Sequence, residues 1–147
     1  MNSTLTIIHL IDALLQVSMI VMVGVYFIFS NTIMKSLQSQ VNGAEIMVEI
    51  NKQILNPLFI AFFLFSALAG GYFLVWGSGI IRLSGGLFLI GTTFVTVIKN
   101  VPLNNQLRDA YSQDEQSAMW RVYLREWVFW NHVRTVSAVS ASFLLVL

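Results

Sequence analysis

The sequence predicts an all-α integral membrane protein, a four-helix transmembrane bundle whose long, partly helical connections lie on one face. Of its 147 residues, 56% are hydrophobic and only 10% are charged, whereas a soluble domain carries about 25% charged residues. The mean hydropathy is +0.74, and several apolar runs approach the roughly 20 residues that a helix needs to cross a bilayer. The length suits about one domain, so residues 1–147 are predicted to form a single membrane domain.

Four apolar stretches are the predicted spans, at about residues 5–29, 58–76, 80–98 and 127–147. The start of the chain lacks the basic region of a signal peptide, so the first stretch is expected to be a retained span. The second and third are joined by the short sequence GSG and should form an antiparallel pair. The fourth is placed by counting back roughly 20 residues from Leu147.

Two long connections, residues 31–57 and 99–126, are predicted to be helical in part. Ser112 and Glu115 have the S-x-x-E spacing of a capping box, and no helix breaker follows. The fourth span is therefore predicted to belong to one long helix that extends well out of the membrane. Pro102 is expected to begin a short helix, and Pro57 to start or kink the second span.

The basic residues predict the orientation of the chain, because cytoplasmic flanks carry an excess of Lys and Arg. The face with the termini and the GSG turn has only Arg82. The other face has Lys35, Lys52, Lys99, Arg108, Arg121 and Arg125. We therefore expect the long connections to be cytoplasmic and both termini to lie outside.

Composition excludes several kinds of partner and cofactor. The net charge of +1 provides no basic field for nucleic acid. The chain has no cysteine and only two histidines, which are expected near opposite faces of the membrane. We therefore predict no metal site, and no cofactor, within one chain.

The stretch WVFWNHVRTV, residues 127–136, places Asn131, His132 and Arg134 in a segment otherwise suited to lipid. At 1.5 Å per residue, Arg134 would lie roughly 10 Å beyond Trp127. A charge at the centre of a span costs about 2.5–3.5 kcal/mol, so a functional or paired role is expected. The alternative is an anchor that reaches toward the headgroups.

Helical spacing places one aromatic and polar stripe on the last helix, with Trp130 beside it: Trp120, Tyr123, Trp127, Asn131 and Arg134. Such a stripe is more often packing or an interface belt, but its continuation into Asn131 and Arg134 suggests a pocket wall for a flat ligand. His132 lies roughly 100° from Asn131 around the helix.

Further polar groups are expected at the same end of the bundle. Asn100 and Asn104 are spaced i, i+4, as are Met47 and Asn51. Each asparagine alone is most often a cap or a turn residue. Together with the residues of the last helix, they indicate a cluster of hydrogen-bonding groups that could bind a ligand.

Four stretches carry a resemblance to a known family: GVYFIFSNTIMKSL, AEIMVEINKQILNPLF, VTVIKNVPLNNQL and the W-x-x-Y-x-x-x-W-x-x-W-N-H-V-R-T run that starts at Trp120. The N-V-P-L-N and W-N-H-x-R-T elements are the specific ones. In these features the chain resembles the anthrone-oxygenase-like membrane family. The sequence departs from that pattern at Val25, where family members often have a second glycine after Gly24.

The resemblance implies a four-helix membrane bundle and, from fungal members, oxidation of an anthrone to an anthraquinone by O₂ without a metal or flavin. On this hypothesis His132 takes a ring C–H proton, while Arg134, Asn131, Asn100 or Asn104 holds the resulting oxyanion. Trp127 and Trp130 stack on the ring system. The predicted substrate-binding set is Asn51, Asn100, Asn104, Trp127, Trp130 and Met47. The expected location is the bacterial inner membrane.

A second interpretation is a non-catalytic small membrane subunit whose polar cluster clamps its helices and whose aromatic helix docks a partner. The expected partners are membrane lipid in both cases and no nucleic acid in either. The first interpretation adds a lipophilic aromatic small molecule. The second adds another membrane protein or a second copy of the chain.

Overall fold

The computed structural model describes residues 3–147, and the side chains from residue 5 onward. The helices are α1 (Ser3–Ile28), α2 (Met34–Gln38), α3 (Gly43–Ile54), α4 (Pro57–Trp76), α5 (Gly79–Phe88), α6 (Val101–Arg108) and α7 (Gln113–Leu145). Three π-helical segments, Phe29–Ile33, Leu89–Phe94 and Thr96–Asn100, lie between α1 and α2 and between α5 and α6. No strand occurs in residues 3–147, which confirms the predicted all-α class.

Three continuous helical segments are long and apolar enough to cross a membrane: Leu5–Gln38, Pro57–Trp76 and Gly79–Arg108. The chain is therefore a helical membrane protein. The first and third segments extend well beyond the predicted spans. Within the described residues, α7 is not among these segments: its first half is rich in charged residues, and Asn131, His132 and Arg134 lower the hydropathy of its second half.

A short helix, α6, does begin beside Pro102, although it is not separated from the third segment. The chain continues from the third segment into α6, and Asn100 and Val101 keep right-handed helical backbone angles. Pro102 lies in the first turn of α6, where the missing proline N–H is tolerated. Pro57 does start a helix, α4, and the Asn56 side chain accepts a hydrogen bond from the Phe59 N–H at 3.0 Å.

The predicted capping box at the start of α7 is confirmed. Ser112 Oγ accepts from the Glu115 N–H at 3.2 Å, and Glu115 Oε2 accepts from the Ser112 N–H at 3.2 Å. Helix α7 continues without a break for 33 residues, a length of about 50 Å at 1.5 Å per residue. One helix therefore carries the whole aromatic and polar stripe.

The long helices pack around two apolar clusters. Helix α4 packs on α5 and α1, and α7 packs on α1 and α5. One cluster includes Met19, Met22, Phe73, Phe88 and Ala138. The other includes Met34, Met47, Leu107, Tyr123 and Trp127. Along α7, Asn131 and Arg134 lie between the residues of the two clusters, so polar groups separate the two halves of the core.

Candidate functional site

A cavity of about 440 Å³ lies between α1, α3, α4, α7 and the segment from Thr96 to Arg108. Its walls are mainly apolar and aromatic. The polar groups that line it include Tyr26, Asn51, Thr96, Asn100, Asn104 and Arg134. Ligand pockets for small molecules have about 300–1,000 Å³ and a similar mixture of apolar walls and few polar groups, so this cavity has the size and character of a binding site.

Arg134 is the central charged group of the cavity. Its side chain is almost fully buried, with 6% of its surface exposed. Nη1 donates to Thr96 Oγ1 at 3.1 Å, and Nη2 donates to Asn131 Oδ1 at 2.5 Å. The guanidinium carbon lies 4.7 Å from the centre of the Tyr26 ring and 5.2 Å from that of Trp127. Two hydrogen bonds and two rings thus fix its position.

A second layer of hydrogen bonds holds Asn131 in place. Asn131 Nδ2 donates to Ser30 Oγ at 2.7 Å, and the hydroxyls of Ser30 and Thr135 lie 2.7 Å apart. Thr135 Oγ1 is also 3.0 Å from the Tyr26 carbonyl oxygen. Because Ser30 lies in the first membrane segment and Asn131 in α7, this network fixes two helices relative to each other and presents Asn131 Oδ1 to Arg134.

Two of the π-helical segments supply polar groups of the site. Ser30 lies in Phe29–Ile33, and Thr96 and Asn100 lie in Thr96–Asn100. A π-helical turn changes which side chains face a neighbouring helix, and such turns often occur at functional sites. Here they turn these three side chains toward α7.

Arg134 has no acidic partner. No carboxylate among residues 3–147 forms an ion pair with it, since the ion pairs of Lys52, Arg108 and Arg125 are all at the surface. Its Nε is buried and has no hydrogen-bond partner in the described part of the chain. Arg134 is therefore a buried cation without a carboxylate partner that lines the cavity.

The end of the cavity toward the long connections contains neutral hydrogen-bonding groups. Tyr123 donates its hydroxyl proton to Asn104 Oδ1 at 2.8 Å and accepts from Asn51 Nδ2 at 3.4 Å. Burial raises the pKa of Tyr123, so the hydroxyl stays protonated at neutral pH. Asn100 Nδ2 donates to the Trp127 carbonyl oxygen at 3.2 Å. Asn100 Oδ1 and Trp127 Nε1 are buried and without a partner in residues 3–147.

The structure brings together five of the residues selected from the sequence. Asn51, Asn100, Asn104, Trp127 and Arg134 all line the cavity. Asn131 is fully buried behind Arg134 and positions it. The predicted stripe lies on one face of α7, which is buried from Tyr123 to Arg134 and half-buried at Trp120. Its rings stack: Tyr123 lies 5.3 Å from Trp127 and 5.6 Å from Trp120.

Three other selected residues lie elsewhere. Met47 is fully buried in the second apolar cluster rather than at the cavity surface. Trp130 packs edge-on against Phe129, beneath the Lys99 ammonium at 4.9 Å. His132 is exposed on the outward face of α7 and is not a lining residue. Its roughly 100° offset from Asn131 turns it away from Arg134.

The sequence analysis missed Tyr26, Ser30, Thr96 and Thr135. A spacing signal for the first three exists: Tyr26 and Ser30 are i, i+4 in an apolar span, and Thr92, Thr96 and Asn100 repeat every four residues. Thr135 directly follows Arg134. The regular spacing of these polar residues within apolar spans could have identified them as site residues.

The fold defines a helical membrane protein with a largely apolar cavity, lined by one buried arginine that has no carboxylate partner. The chain belongs to the anthrone oxygenase family, whose model matches residues 44–144. This range includes nearly all of α3, and α4, the third membrane segment and the α7 stripe. These segments contribute most of the residues that line the cavity. No protein of curated function and no solved structure matches the chain.

Proposed function

We propose that the protein is a membrane-embedded, cofactor-independent oxygenase that acts on a lipophilic aromatic substrate of the anthrone or quinol type. The observation that carries the proposal is Arg134, a buried cation without a carboxylate partner, beside an apolar cavity in a chain of this family. Such a cation stabilises the oxyanion that forms when an anthrone ionises.

The reaction balances with O₂ as the only co-reactant. The anthrone loses a ring C–H proton, and the electron pair remains as an anthrolate whose negative charge lies largely on oxygen. The ring carbon then gives electrons to O₂ and forms a C–O bond. Breaking the O–O bond and losing the second C–H proton gives the new carbonyl. Anthrone and O₂ thus yield anthraquinone and water.

Each polar group has a part in this proposal. The Arg134 guanidinium pairs with the substrate oxyanion, and Asn131 and Thr96 orient it. Trp127 and Phe29, whose ring centres are 5.7 Å apart, form a wall against the flat ring system. His132 is exposed on the other side of α7, so the proposal does not assign it the role of base.

We also propose that α7 crosses the membrane from about Trp127 onward, which completes a four-helix transmembrane bundle. Apolar side chains on the outward face of this part of α7 are exposed, as expected for contact with lipid: Phe129, Val136, Val139 and Phe143. In this arrangement the long connections are cytoplasmic, both termini are outside, and the bacterial inner membrane is the location.

The test is turnover by purified protein in lipid nanodiscs, with no added metal or flavin. With anthrone under ¹⁸O₂, we expect one O₂ consumed for each anthraquinone formed, with one labelled oxygen in the product. Protein-free nanodiscs give the background rate. A rate equal to background from folded protein would contradict the proposal. It would favour a non-catalytic membrane subunit, for which copurification with another membrane protein is the matching observation.

A further inference from the structure

We infer that the cavity binds its ligand as an oxyanion, the enolate or phenolate of a flat hydrophobic molecule, and that solvent rather than a protein side chain accepts the proton. This inference deepens the proposed function, because it names the form in which the substrate is bound and the destination of its proton. It rests on the charges that surround the cavity.

The titratable groups that line the cavity are two cations from the connections, a tyrosine and Arg134. Helix α1 contributes Tyr26, α3 contributes Lys52 and α6 contributes Arg108, while α4 contributes only apolar side chains. Tyr123 of α7 adds a neutral hydroxyl beside Asn51 and Asn104.

This set contains no carboxylate and no imidazole. All seven carboxylates and both histidines lie within the described residues, and none of them lines the cavity. Arg108 is paired with Asp109 at 2.8 Å, outside the cavity. The charge of the interior is therefore positive, and Arg134 is its deepest charged group.

The positive charge of the cavity decides whether the pKa of a bound acid rises or falls. An apolar cavity without charge would raise the pKa of a bound phenol or enol, because burial disfavours the anion. A cation at contact distance has the opposite effect and favours the anion. Arg134 lines the cavity, so its guanidinium can form a charge-assisted hydrogen bond to an oxyanion bound there. We expect the cation to dominate, and the pKa of the ligand to fall.

The released proton can reach water at the mouth of the cavity. The Lys52 side chain is 76% exposed, and Asn105 and Arg108 are exposed lining residues. The bond to hydrogen breaks heterolytically, the electron pair remains on the ligand, and water or hydroxide takes the proton. The acidity of the ligand, rather than that of a protein group, then sets the pH at which the bound anion forms.

The experiment is a pH titration of 2-naphthol bound to the protein in nanodiscs, followed by the absorbance of naphtholate. We expect the bound naphthol to ionise at least about one pH unit below its midpoint in protein-free nanodiscs, which corresponds to about 1.4 kcal/mol. Arg134→Lys should retain a lowered midpoint, because it keeps the charge. An unchanged or higher midpoint in the wild type overturns the inference.

Asn131→Asp is the decisive variant, because it keeps the size of the side chain. The new carboxylate would accept the Arg134 Nη2 hydrogen bond in place of Asn131 Oδ1. It would form a buried ion pair that cancels the positive charge of the guanidinium. We expect the lowered midpoint to be lost. The control is Arg121→Gln, which removes a cation from an exposed position of the same helix and should leave the midpoint lowered. A midpoint that stays lowered in Asn131→Asp overturns the inference.

Naphthol is not oxygenated by this scheme, so the titration is independent of turnover. A lowered midpoint without anthrone oxidation would support the oxyanion site and contradict the oxygenase. Anthrone oxidation with an unchanged midpoint would support the oxygenase and contradict the oxyanion site.

Discussion

Arg134 shows how a single charged side chain is accommodated in an apolar interior. A charge at the centre of a span costs about 2.5–3.5 kcal/mol. Its two hydrogen bonds to neutral oxygens contribute about 1.5–3 kcal/mol each, and contact with an aromatic face adds about 0.5–2 kcal/mol. The neighbours of Arg134 are thus sufficient to offset its burial without a carboxylate. The protein retains a stable positive charge that is still available to a ligand.

Tyr123→Phe tests the hydrogen bonds at the connection end of the cavity. The change keeps the ring that stacks on Trp127 but leaves Asn104 Oδ1 and Asn51 Nδ2 without the hydroxyl. Both asparagines are half-buried beside the cavity, and a typical hydrogen bond contributes about 0.5–1.5 kcal/mol, so we expect the free energy of unfolding in detergent to fall by that amount. Tyr111→Phe is the control, because Tyr111 is 89% exposed. Equal stability of the two variants would contradict this account of Tyr123.

At the residue scale, the sequence predicted site residues where a spacing pattern lies within one helical segment, including Asn51, Asn100 and Asn104 outside α7. Regular spacing on α7 was enough to select Trp127, Asn131 and Arg134. It was not enough for Tyr26 and Thr96, because their contact with Arg134 depends on how separate helices pack. His132 was selected for its chemistry, although its angular position on the helix already placed it off the stripe.

At the scale of helices, α4 and α5 approach each other closely where Gly70 and Gly85 meet. A Cβ atom at Gly85 would lie 2.7 Å from the Gly70 carbonyl oxygen and 2.8 Å from the Phe73 carbonyl carbon. Backbone atoms cannot move aside as a flexible side chain can. The absence of side chains at Gly70 and Gly85 thus permits this contact.

Gly85→Ala should therefore force α4 and α5 apart. We expect a loss of about 1–3 kcal/mol in the free energy of unfolding, as for other overpacked sites. The control is Gly71→Ala, because nothing in the described chain lies within 4 Å of a Cβ there. Since alanine favours helix over glycine by about 1 kcal/mol, the control should be as stable as the wild type or more so. Denaturant titration in detergent compares the two, and a stable Gly85→Ala would exclude the close contact.

Helix boundaries were predicted less well than helix positions. The first and third segments continue past the apolar runs because π-helical turns carry the chain on into polar sequence. Hydropathy detects where a segment leaves lipid but not where its backbone hydrogen bonds end. The π-helical turns have no apolar periodicity of their own, so the sequence did not reveal them.

At the scale of the whole molecule, the proposed topology can be tested by labelling single introduced cysteines, because the chain has no natural cysteine. Ser39→Cys lies between α2 and α3, and Ser78→Cys lies between α4 and α5. In intact cells we expect a membrane-impermeant maleimide to label Ser78→Cys and Leu147→Cys, and to label Ser39→Cys only after lysis. If Leu147→Cys instead behaves like Ser39→Cys, α7 does not cross and the proposed bundle has three spans.

The central claim is that the uncompensated charge of Arg134 makes the cavity a catalytic site. The most direct measurement is the rate of anthraquinone formation by Arg134→Gln beside the exposed control Arg121→Gln, both shown to be folded in the same nanodiscs. We predict a fall of at least about tenfold in the first variant, or about 1.4 kcal/mol of transition-state stabilisation, and the wild-type rate in the second. Wild-type turnover by Arg134→Gln would contradict the account.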